Sequence, residues 1–345
     1  MAASMRDVAA RAGVSPRTVS NVVNGSPLVA AATRTRVEQA MRELRYRPNA
    51  AARSLRRARS GLVALVVPEV DSPYFGEIAA LLSRAAEQRQ WTLLIEQTGG
   101  DAERERRLLD GMRAQLVDGV VFSPWALRAA DLAQRRDSSP LVLLGERVDG
   151  HAGDPVPADH VVIDNVAAAA EATAHLLATG RRRIAAVGAR SRVGDDTARL
   201  RLQGHHRALA AAGIPRDPDL ELAVTALHRA DGAAAVHRLL QRGTDVDALF
   251  CFTDQLALGA QRAAREHGLR VPEDLAVVGF DDVEDGRYAT PSLTTISPDK
   301  HAIAERAAQC LAERLAAAPD DAPPPRTVVV GHRLLVRESS GTSPA

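Results

Sequence analysis

From residue 62 onward, short apolar runs alternate with stretches whose apolar residues recur at helical spacing. The first run, Leu62–Pro68, is continuously apolar, which is typical of a strand buried in a parallel sheet. Runs of the same kind lie at residues 91–95, 119–122, 141–144, 161–163, 184–187, 220–224, 248–252 and 275–279. Helical patterns separate them, at residues 76–90, 102–115, 126–136, 165–179, 197–212, 231–242 and 254–267. This strict alternation predicts an α/β fold with a doubly wound parallel sheet.

After the loop 150–160, which is rich in Gly, Pro and His, the same alternation starts again. Two similar lobes are therefore predicted, and the cleft between them is the natural place for a ligand. The end of the chain departs from this rhythm. The residue pattern there predicts a crossover at 293–296, a helix at 303–317, a terminal hairpin formed by 326–330 and 333–337, and a disordered tail at 339–345.

The pattern of the first 48 residues predicts short helices separated by breaks. Apolar residues recur at helical spacing in two short segments, at Val8, Ala9, Ala12, Val19, Val22 and Val23. Gly13 lies where the chain turns between them, because glycine adopts positive φ without steric cost. Ser15 is a good N-cap for the second helix, and Pro16 suits its first position. With a third helix at 31–45, the pattern predicts a helix-turn-helix whose second helix faces a DNA major groove. The plainer alternative is a solvent-facing helical hairpin.

The charge is divided unevenly along the chain. Residues 1–60 contain twelve Arg and three Asp or Glu, a net charge of +9, whereas the rest of the chain carries −8. A basic segment attached to an acidic body indicates that the first 60 residues meet a polyanion. The sequence shows no apolar run long enough to span a membrane and no signal-peptide pattern. Cys251 and Cys310 are isolated in apolar surroundings, which favours a reduced, cytoplasmic protein without structural zinc.

Four motifs resemble those of the LacI/GalR family of bacterial repressors: DVAARAGVSPRTVSNVVN at 7–24, YRPNAAARSL at 46–55, DSPYF at 71–75 and GFDD at 279–282. The resemblance covers nearly the whole chain. It implies an all-α helix-turn-helix headpiece followed by a two-lobed, doubly wound parallel-sheet domain of periplasmic-binding-protein type.

The implied domains are a DNA-binding headpiece at 1–48, a hinge helix and linker at 49–60, and an effector-binding and dimerisation domain at 61–338. The N-lobe of that domain is expected to comprise about 61–164 and 297–320, and its C-lobe about 165–296 and 321–338. Only the tail after residue 338 is left outside these domains.

The resemblance places DNA contacts in the headpiece and hinge, at Ser15, Pro16, Arg17, Thr18, Ser20, Asn21, Asn24, Thr33, Tyr46, Asn49, Ala52 and Leu55. Arg17 suits guanine and Asn21 suits adenine, although Arg17 suits a phosphate equally well. Pro16 offers only an apolar contact. Leu55 is implied as a wedge between base steps in the minor groove, and its flanking arginines argue against a core position. Ala30 stands where many relatives have a helix-capping serine, so that phosphate contact is not expected here.

Polar and aromatic residues follow the predicted strand ends, where parallel sheets bind ligands. The predicted effector-site residues are Tyr74, Phe75, Ser123, Trp125, Asp164, Arg201, Thr253 and Asp281. Of these, the resemblance implies that Arg201 and Asp281 grip the effector, and a guanidinium with a carboxylate suits vicinal hydroxyls. The plainer alternatives are that Phe75 packs in the core and that Asp281 caps a turn. The adjacent His205 and His206 point in different directions on a helix, so they do not predict a metal site.

These features predict a ligand-responsive, sequence-specific transcriptional regulator, and the resemblance implies a repressor that binds pseudo-palindromic operator DNA as a homodimer. Its effector is expected to be a small molecule, a carbohydrate, and no cofactor, metal, catalytic residue or membrane partner is expected. The alternative is a sugar-binding protein or an α/β enzyme without a DNA role. The sequence has no G-x-S-x-G, G-x-x-x-x-G-K or H-E-x-x-H motif, which argues against common enzyme classes.

Overall fold

The computed structural model describes residues 3–23, 26–46, 59–112, 117–145, 158–191, 195–318, 321 and 323–341. The chain forms two compact units, Met1–Gly61 and Leu62–Ala345. Their boundary coincides with the point at which the sequence changes from a basic to an apolar composition. Within the described ranges, none of the helices has the length and apolar content that a membrane crossing requires.

The described part of the first unit is a bundle of three helices around a small aliphatic core. Its helices are α1 (Met5–Ala12), α2 (Pro16–Val23) and α3 (Ala31–Glu43). Val8, Val19 and Val37 supply one fully buried side chain from each helix. Gly13 follows α1 with a φ of 63°, the left-handed conformation that glycine adopts without strain. The helix-turn-helix prediction is therefore confirmed.

Side-chain caps fix where two of these helices begin. Ser4 and Asp7 form a reciprocal capping box at α1, which the sequence analysis did not identify. Ser15 Oγ accepts a hydrogen bond from the backbone N–H of Thr18 at 3.1 Å, as expected of an N-cap. At α3, Ala30 makes no capping hydrogen bond through its side chain.

The first lobe of the second unit is built on a parallel sheet. Its strands are β1 (Leu62–Val67), β2 (Thr92–Gln97), β3 (Gly119–Phe122), β4 (Leu141–Leu144), β5 (Asp159–Ile163) and β11 (Thr327–Val330), in the order β11-β5-β4-β3-β1-β2. Its helices are α4 (Pro73–Gln88), α5 (Ala102–Gly111), α6 (Ala129–Ala133) and α12 (Lys300–Ala316). Successive side chains of β1 enter two different cores, because strand residues alternate between faces.

The second lobe repeats this plan. Its strands are β6 (Ile184–Ser191), β7 (Glu221–Val224), β8 (Ala248–Cys251), β9 (Ala276–Phe280), β10 (Thr294–Pro298) and β12 (His332–Leu335), in the order β12-β10-β9-β8-β6-β7. Its helices are α7 (Asn165–Ala178), α8 (Asp195–Ala211), α9 (Arg229–Gln241), α10 (Asp254–Glu266) and α11 (Glu284–Arg287). The recorded pairings are parallel except that of β12 with β10, so the predicted two-lobed α/β architecture is confirmed.

The predicted terminal hairpin is wrong. β11 pairs in parallel with β5, where Val329 lies opposite Val162, and it belongs to the first lobe. β12 instead pairs antiparallel with β10, where Leu334 lies opposite Ile296, in the second lobe. Residues 293–296, which were predicted as a crossover, lie largely within β10. The apolar pattern shows that both segments are strands, but it does not encode which sheet edge each of them joins.

The tail prediction is also wrong for residues 339–341, which are held against the second lobe. The hydroxyl of Ser339 donates to the carbonyl oxygen of Val277 at 2.6 Å. The hydroxyls of Ser340 and Thr294 lie 2.7 Å apart. Both serines are buried, because these bonds satisfy their polar atoms. Residues 342–345 lie outside the described ranges.

Candidate functional site

A cavity of about 950 Å³ lies between the lobes of the second unit, at the carboxyl ends of strands from both sheets. Residues from both lobes line it. Seven of the eight predicted effector-site residues are among them: Tyr74, Phe75, Ser123, Trp125, Arg201, Thr253 and Asp281. The structure therefore brings together residues that lie more than 200 positions apart in the sequence.

Arg201 lies on α8 and lines the second-lobe side of the cavity. Its Nε–H donates to Asn165 Oδ1 at 2.8 Å, and an Nη1–H donates to the carbonyl oxygen of Phe252. The guanidinium carbon lies 3.5 Å from the centroid of the Phe280 ring. Nη2 is 4.0 Å from Asp281 Oδ1. Contacts on three sides thus fix the plane of the guanidinium, which presents a rigid set of donors at the cavity.

Asp281 follows β9 and has a φ of 114°, which is unusual for a residue other than glycine. Its backbone N–H donates to the carbonyl oxygen of Ile296 at 2.8 Å, which ties the residue to β10. Burial raises the pKa of Asp281 to about 7, and the charges of Arg201 and Lys300 only partly oppose this rise. Near neutral pH the carboxyl group therefore populates both its protonated and its charged form. The charged form only accepts hydrogen bonds, at both oxygens, whereas the protonated form donates through one of them.

A second buried carboxyl group supports Asp281 from behind. Asp254 on α10 has no solvent exposure, and it accepts hydrogen bonds from the Thr295 hydroxyl at 2.6 Å and the Val283 backbone N–H at 2.9 Å. These bonds connect α10, β10 and the loop that follows Asp281. Burial, reinforced by the charge of Asp281, raises the pKa of Asp254 well above its usual range. Asp254 is thus a positioning residue for the loop that carries Asp281.

Three aromatic rings cluster on the first-lobe side of the cavity. The Phe75 ring is central, with its centroid 5.3 Å from that of Tyr74 and 6.1 Å from that of Trp125. Both pairs meet edge to face, which is a favourable geometry for aromatic rings. Phe75 is buried and packs in the first-lobe core, whereas Tyr74 and Trp125 are partly exposed. Tyr74 and Trp125 therefore offer most of the aromatic surface to a ligand.

The loop that carries Trp125 is held by one buried carboxylate. Glu105 on α5 has no solvent exposure, and its Oε1 accepts from the Trp125 backbone N–H at 2.9 Å. Its Oε2 accepts from the backbone N–H groups of Ala126 and Leu127 at 2.8 and 3.0 Å. The Thr98 hydroxyl donates to Oε1 at 3.3 Å. Four hydrogen bonds to a charged acceptor offset the cost of burying it.

Glu105→Gln is expected to loosen this loop, because the amide places an NH₂ group where backbone donors converge. Losing charge-assisted bonds should weaken effector binding roughly tenfold. In a Trp91→Phe background, the emission of Trp125 should shift towards longer wavelength, which fluorescence spectroscopy measures directly. The matched control is Glu103→Gln, on the exposed side of the same helix. An unchanged Trp125 spectrum in the Glu105 variant would contradict this role.

Asp164 is the predicted effector-site residue that does not line the cavity. Its carboxylate accepts from the Ala167 backbone N–H at 2.8 Å and so caps α7. The next residue, Asn165, lines the cavity instead. A polar residue between a strand and a helix can face either the ligand or the helix N–H groups. Thr253 does both, because its Oγ1 accepts from the Leu256 N–H at 3.2 Å while the residue lines the cavity.

In the first unit, α2 separates apolar from polar side chains. Val19 and Val22 are buried against the headpiece core. The three predicted base-reading residues Pro16, Arg17 and Asn21 are exposed. Their exposure leaves them accessible to a partner such as the edges of DNA bases.

The other predicted DNA contacts are placed less uniformly. Ser15 is exposed, whereas Thr18, Ser20 and Thr33 are partly buried. The Tyr46 ring packs against the headpiece core. Four of the predicted contacts lie outside the described residues: Asn24, Asn49, Ala52 and Leu55.

Comparison with known proteins finds a family match in each of the two units. Residues 4–49 match the bacterial regulatory proteins of the lacI family, and residues 173–340 match the periplasmic binding protein-like domain. The ribose operon repressor of Haemophilus influenzae is 31% identical over 337 residues, which is 98% of each chain. The chain belongs to the LacI family of bacterial regulatory proteins.

Two solved LacI-family structures resemble nearly the whole chain. The lac repressor dimer bound to operator and the anti-inducer ONPF has a TM-score of 0.83 and 28% identity, covering 99% of both chains. The complex of the transcriptional regulator CelR with cellobiose has a TM-score of 0.71 and 34% identity, covering 98% of this chain and 99% of that one. Both similarities extend over the headpiece and the lobes.

As a LacI-family member, the chain is a ligand-responsive, DNA-binding transcriptional regulator and not an enzyme. The alternative interpretation as a binding protein or an enzyme without a DNA role is therefore wrong. In this LacI-family regulator, the first unit carries the helix-turn-helix and the second unit carries the cavity.

Proposed function

We propose that this regulator is a cytoplasmic, homodimeric repressor whose affinity for a pseudo-palindromic operator is set by a sugar bound in the cavity. The observation that carries the proposal is the Arg201–Asp281 pair, which lines the same cavity as the partly exposed rings of Tyr74 and Trp125. A guanidinium donates to, and a carboxylate accepts from, the two hydroxyls of a vicinal diol. An aromatic face covers the apolar side of a sugar ring.

The charges around the cavity favour an uncharged ligand. Arg106 Nε donates to Asp131 Oδ1 at 2.8 Å, and Arg201 faces Asp281. Carboxylates thus already balance two of the cations that line the cavity, which makes it a poor site for a phosphate group. The names of two relatives also support a sugar, since one is a ribose operon repressor and the other is solved with cellobiose.

For the ligand contacts, we propose the seven predicted residues that line the cavity, with Asn165 in place of Asp164. Arg201 and Asp281 bind the hydroxyls, Tyr74 and Trp125 cover the ring, and Asn165 holds Arg201 in position. Phe75, Ser123 and Thr253 complete the wall. In this arrangement the two lobes bind opposite edges of one ligand, so ligand binding favours one separation of the lobes over another.

For the DNA contacts, we propose that α2 lies in the major groove of each half-site. Arg17 and Asn21 read bases, and Pro16 offers an apolar contact. The backbone contacts are proposed for Ser15, Thr18, Ser20, Asn24 and Thr33, and the hinge contacts for Tyr46, Asn49, Ala52 and Leu55. The net charge of +9 on residues 1–60 supplies attraction to phosphates.

An exposed apolar strand edge supports the homodimer. β2 is an edge strand of the first-lobe sheet, and its Leu94 and Ile95 are 38% and 49% exposed. Natural edge strands avoid exposed apolar side chains unless another chain covers them. A second copy of this chain would bury both residues.

A thermal-shift screen of uncharged sugars, sugar phosphates and nucleobases tests the proposal, with the full chain and residues 61–345 in parallel. At about 100 times the dissociation constant, the effector should add about 2.7 kcal/mol to the stability of the second unit, a rise of roughly 5–10 °C. Uncharged sugars should give this shift in both proteins. Only the full chain should bind operator DNA in a mobility-shift assay. A shift with nucleobases alone, or operator binding by residues 61–345, would refute the proposal.

A further inference from the structure

Two side chains connect the lobes directly across the cavity. His228 Nε2 lies 3.1 and 3.0 Å from the two carboxylate oxygens of Glu69. Glu69 belongs to the first lobe and His228 to the second, and both line the cavity. His228 is about half exposed, so the pair lies at the rim rather than in the depth of the cavity.

The fold places these residues opposite each other. Glu69 comes two positions after the end of β1, at the carboxyl edge of the first sheet. His228 follows β7 and is the N-cap residue of α9, at the carboxyl edge of the second sheet. Neither residue lies on a segment where the chain passes from one lobe to the other. The distance between them therefore depends on how far apart the lobes are.

We propose that Glu69 and His228 form a proton-dependent clamp that holds the two lobes together across the rim of the cavity. A contact that exists at only one lobe separation stabilises that separation alone, and so shifts the population towards it. Such a clamp acts on lobe closure in the regulator itself, whatever the identity of the effector.

The surroundings of His228 are mainly acidic. The hydrogen bond to Glu69 raises the pKa of His228, desolvation opposes this rise, and the charges of Glu69, Asp231 and Asp71 add to it. Asp231 lies in the first turn of α9, and Asp71 lies in the loop after β1. The N-terminus of α9 disfavours a positive charge. The neighbouring Arg229 is paired with Asp285 at 2.5 Å.

The sign of the pH dependence follows from the direction of this shift. Because the pKa of His228 is raised when the pair is formed, formation of the clamp takes up a proton. The clamp is therefore fully effective below the ordinary histidine pKa of about 6.5 and is lost as the pH rises through the raised value. The same lobe separation should be less populated in mildly alkaline solution.

A second set of contacts between the lobes does not behave in this way. Lys300 Nζ pairs with Glu77 and donates to the carbonyl oxygen of Asp282 at 2.8 Å. Lys300 begins α12, immediately after the chain passes from β10 to the first lobe. These contacts accompany a crossover and contain no histidine. In the part of the chain that the structure describes, Glu69 and His228 thus form a histidine-containing contact between the lobes, through which a change near neutral pH can act on lobe separation.

The first experiment is a titration of the full-length protein labelled with ¹³C-histidine and followed by NMR. His228→Gln assigns the resonance, and Glu69→Gln keeps the size of the carboxylate while removing its charge. The pKa of His228 should lie above 6.5 in the unmodified protein and should fall in Glu69→Gln. An equal pKa in both proteins would show that the pair does not form in solution.

The second experiment measures the distance between spin labels at Arg107→Cys and Arg242→Cys, one on each lobe, without ligand. Both native cysteines are buried, so the labels report the introduced positions. Between about pH 5.5 and pH 8.5, the population at the shorter distance, relative to the population at the longer distance, should fall about two- to fivefold. This is the change expected for a partly exposed ion pair. Glu69→Gln and His228→Gln should remove this change.

The matched control is His237→Gln. His237 Nε2 lies 3.0 Å from Glu266 Oε2, but both residues belong to the second lobe. This variant should keep the full pH dependence of the label distance. The clamp would be refuted if the distance in the unmodified protein did not depend on pH, or if His237→Gln and His228→Gln changed that dependence equally.

Discussion

Arg201→Ala is expected to abolish the response to the effector while leaving operator affinity nearly unchanged. A hydrogen bond to a charged group is worth about 1.5–3 kcal/mol, so losing a two-pronged contact should weaken binding at least about 100-fold. Removing Arg201 also changes Asp281, the other member of the Arg201–Asp281 pair. Arg201 holds the pKa of Asp281 down, so without it that pKa rises above about 7 and the carboxyl group is mainly protonated at neutral pH. Fluorescence anisotropy of labelled operator DNA against effector concentration measures the response.

Two further variants make this result specific. Arg201→Lys keeps the positive charge but loses the planar fork, so it should remain strongly impaired. Arg207→Ala removes an exposed arginine from the same helix and should respond normally. Circular dichroism checks that each variant is folded, since Arg201 also bonds to Asn165 and to the Phe252 carbonyl. A normal response in Arg201→Ala would remove that residue from the effector site.

The main features of the fold could be predicted because they depend on local periodicity. Apolar runs and helical stripes located most of the strands and helices of both lobes, although not β10 or the short α11, and the turn at Gly13 located the helix-turn-helix. What failed was the assignment of strands to sheets near the end of the chain. β11 and β12 lie one residue apart yet join different lobes, at edges formed by β5 and β10. That choice is made by tertiary contacts, which periodicity does not report.

The candidate site also contains some residues that could be predicted from the sequence and others that could not. Residues at strand ends could be expected at the cavity, because parallel strands direct their carboxyl ends towards ligands. The choice between Asp164 and Asn165 could not be made, since it depends on which of two adjacent side chains bonds to a helix terminus. Glu69 and His228 follow strands and remained unrecognised, because no pattern pairs residues from different lobes.

Glu105 had a signal that was available in the sequence. It shares the helical stripe of Leu108, Leu109 and Met112, at spacings of three, four and seven residues. A carboxylate on a buried stripe must find donors. The identity of those donors, the backbone N–H groups of the Trp125 loop, could come only from the structure.

The largest effect on stability is expected from Gly259→Ala, where α10 packs against α9. A Cβ atom at this position would lie 1.8 Å from the carbonyl oxygen of Arg229 and 2.9 Å from the backbone N of Ala233. From the other helix, a Cβ on Gly232 would lie 2.2 Å from the carbonyl oxygen of Leu256. Backbone atoms cannot move aside as a flexible side chain can, so the helices would have to separate. We expect a loss of about 3 kcal/mol or more and a fall in Tm of roughly 6–12 °C.

Gly76→Ala is the matched control, because among the described residues no heavy atom beyond its chain neighbours and the surrounding backbone of α4 lies within 4 Å of its Cβ position. There the better helix propensity of alanine should leave Tm unchanged or raise it. Thermal unfolding followed by circular dichroism compares the two variants, and equal stability would contradict the close approach of α9 and α10.

The Gly259→Ala variant is also expected to change effector binding. α9 begins next to His228 and α10 begins next to Thr253, so Gly259→Ala should weaken effector binding without touching the cavity. The positions of the two helix N-termini beside the cavity depend on the close approach that these glycines allow.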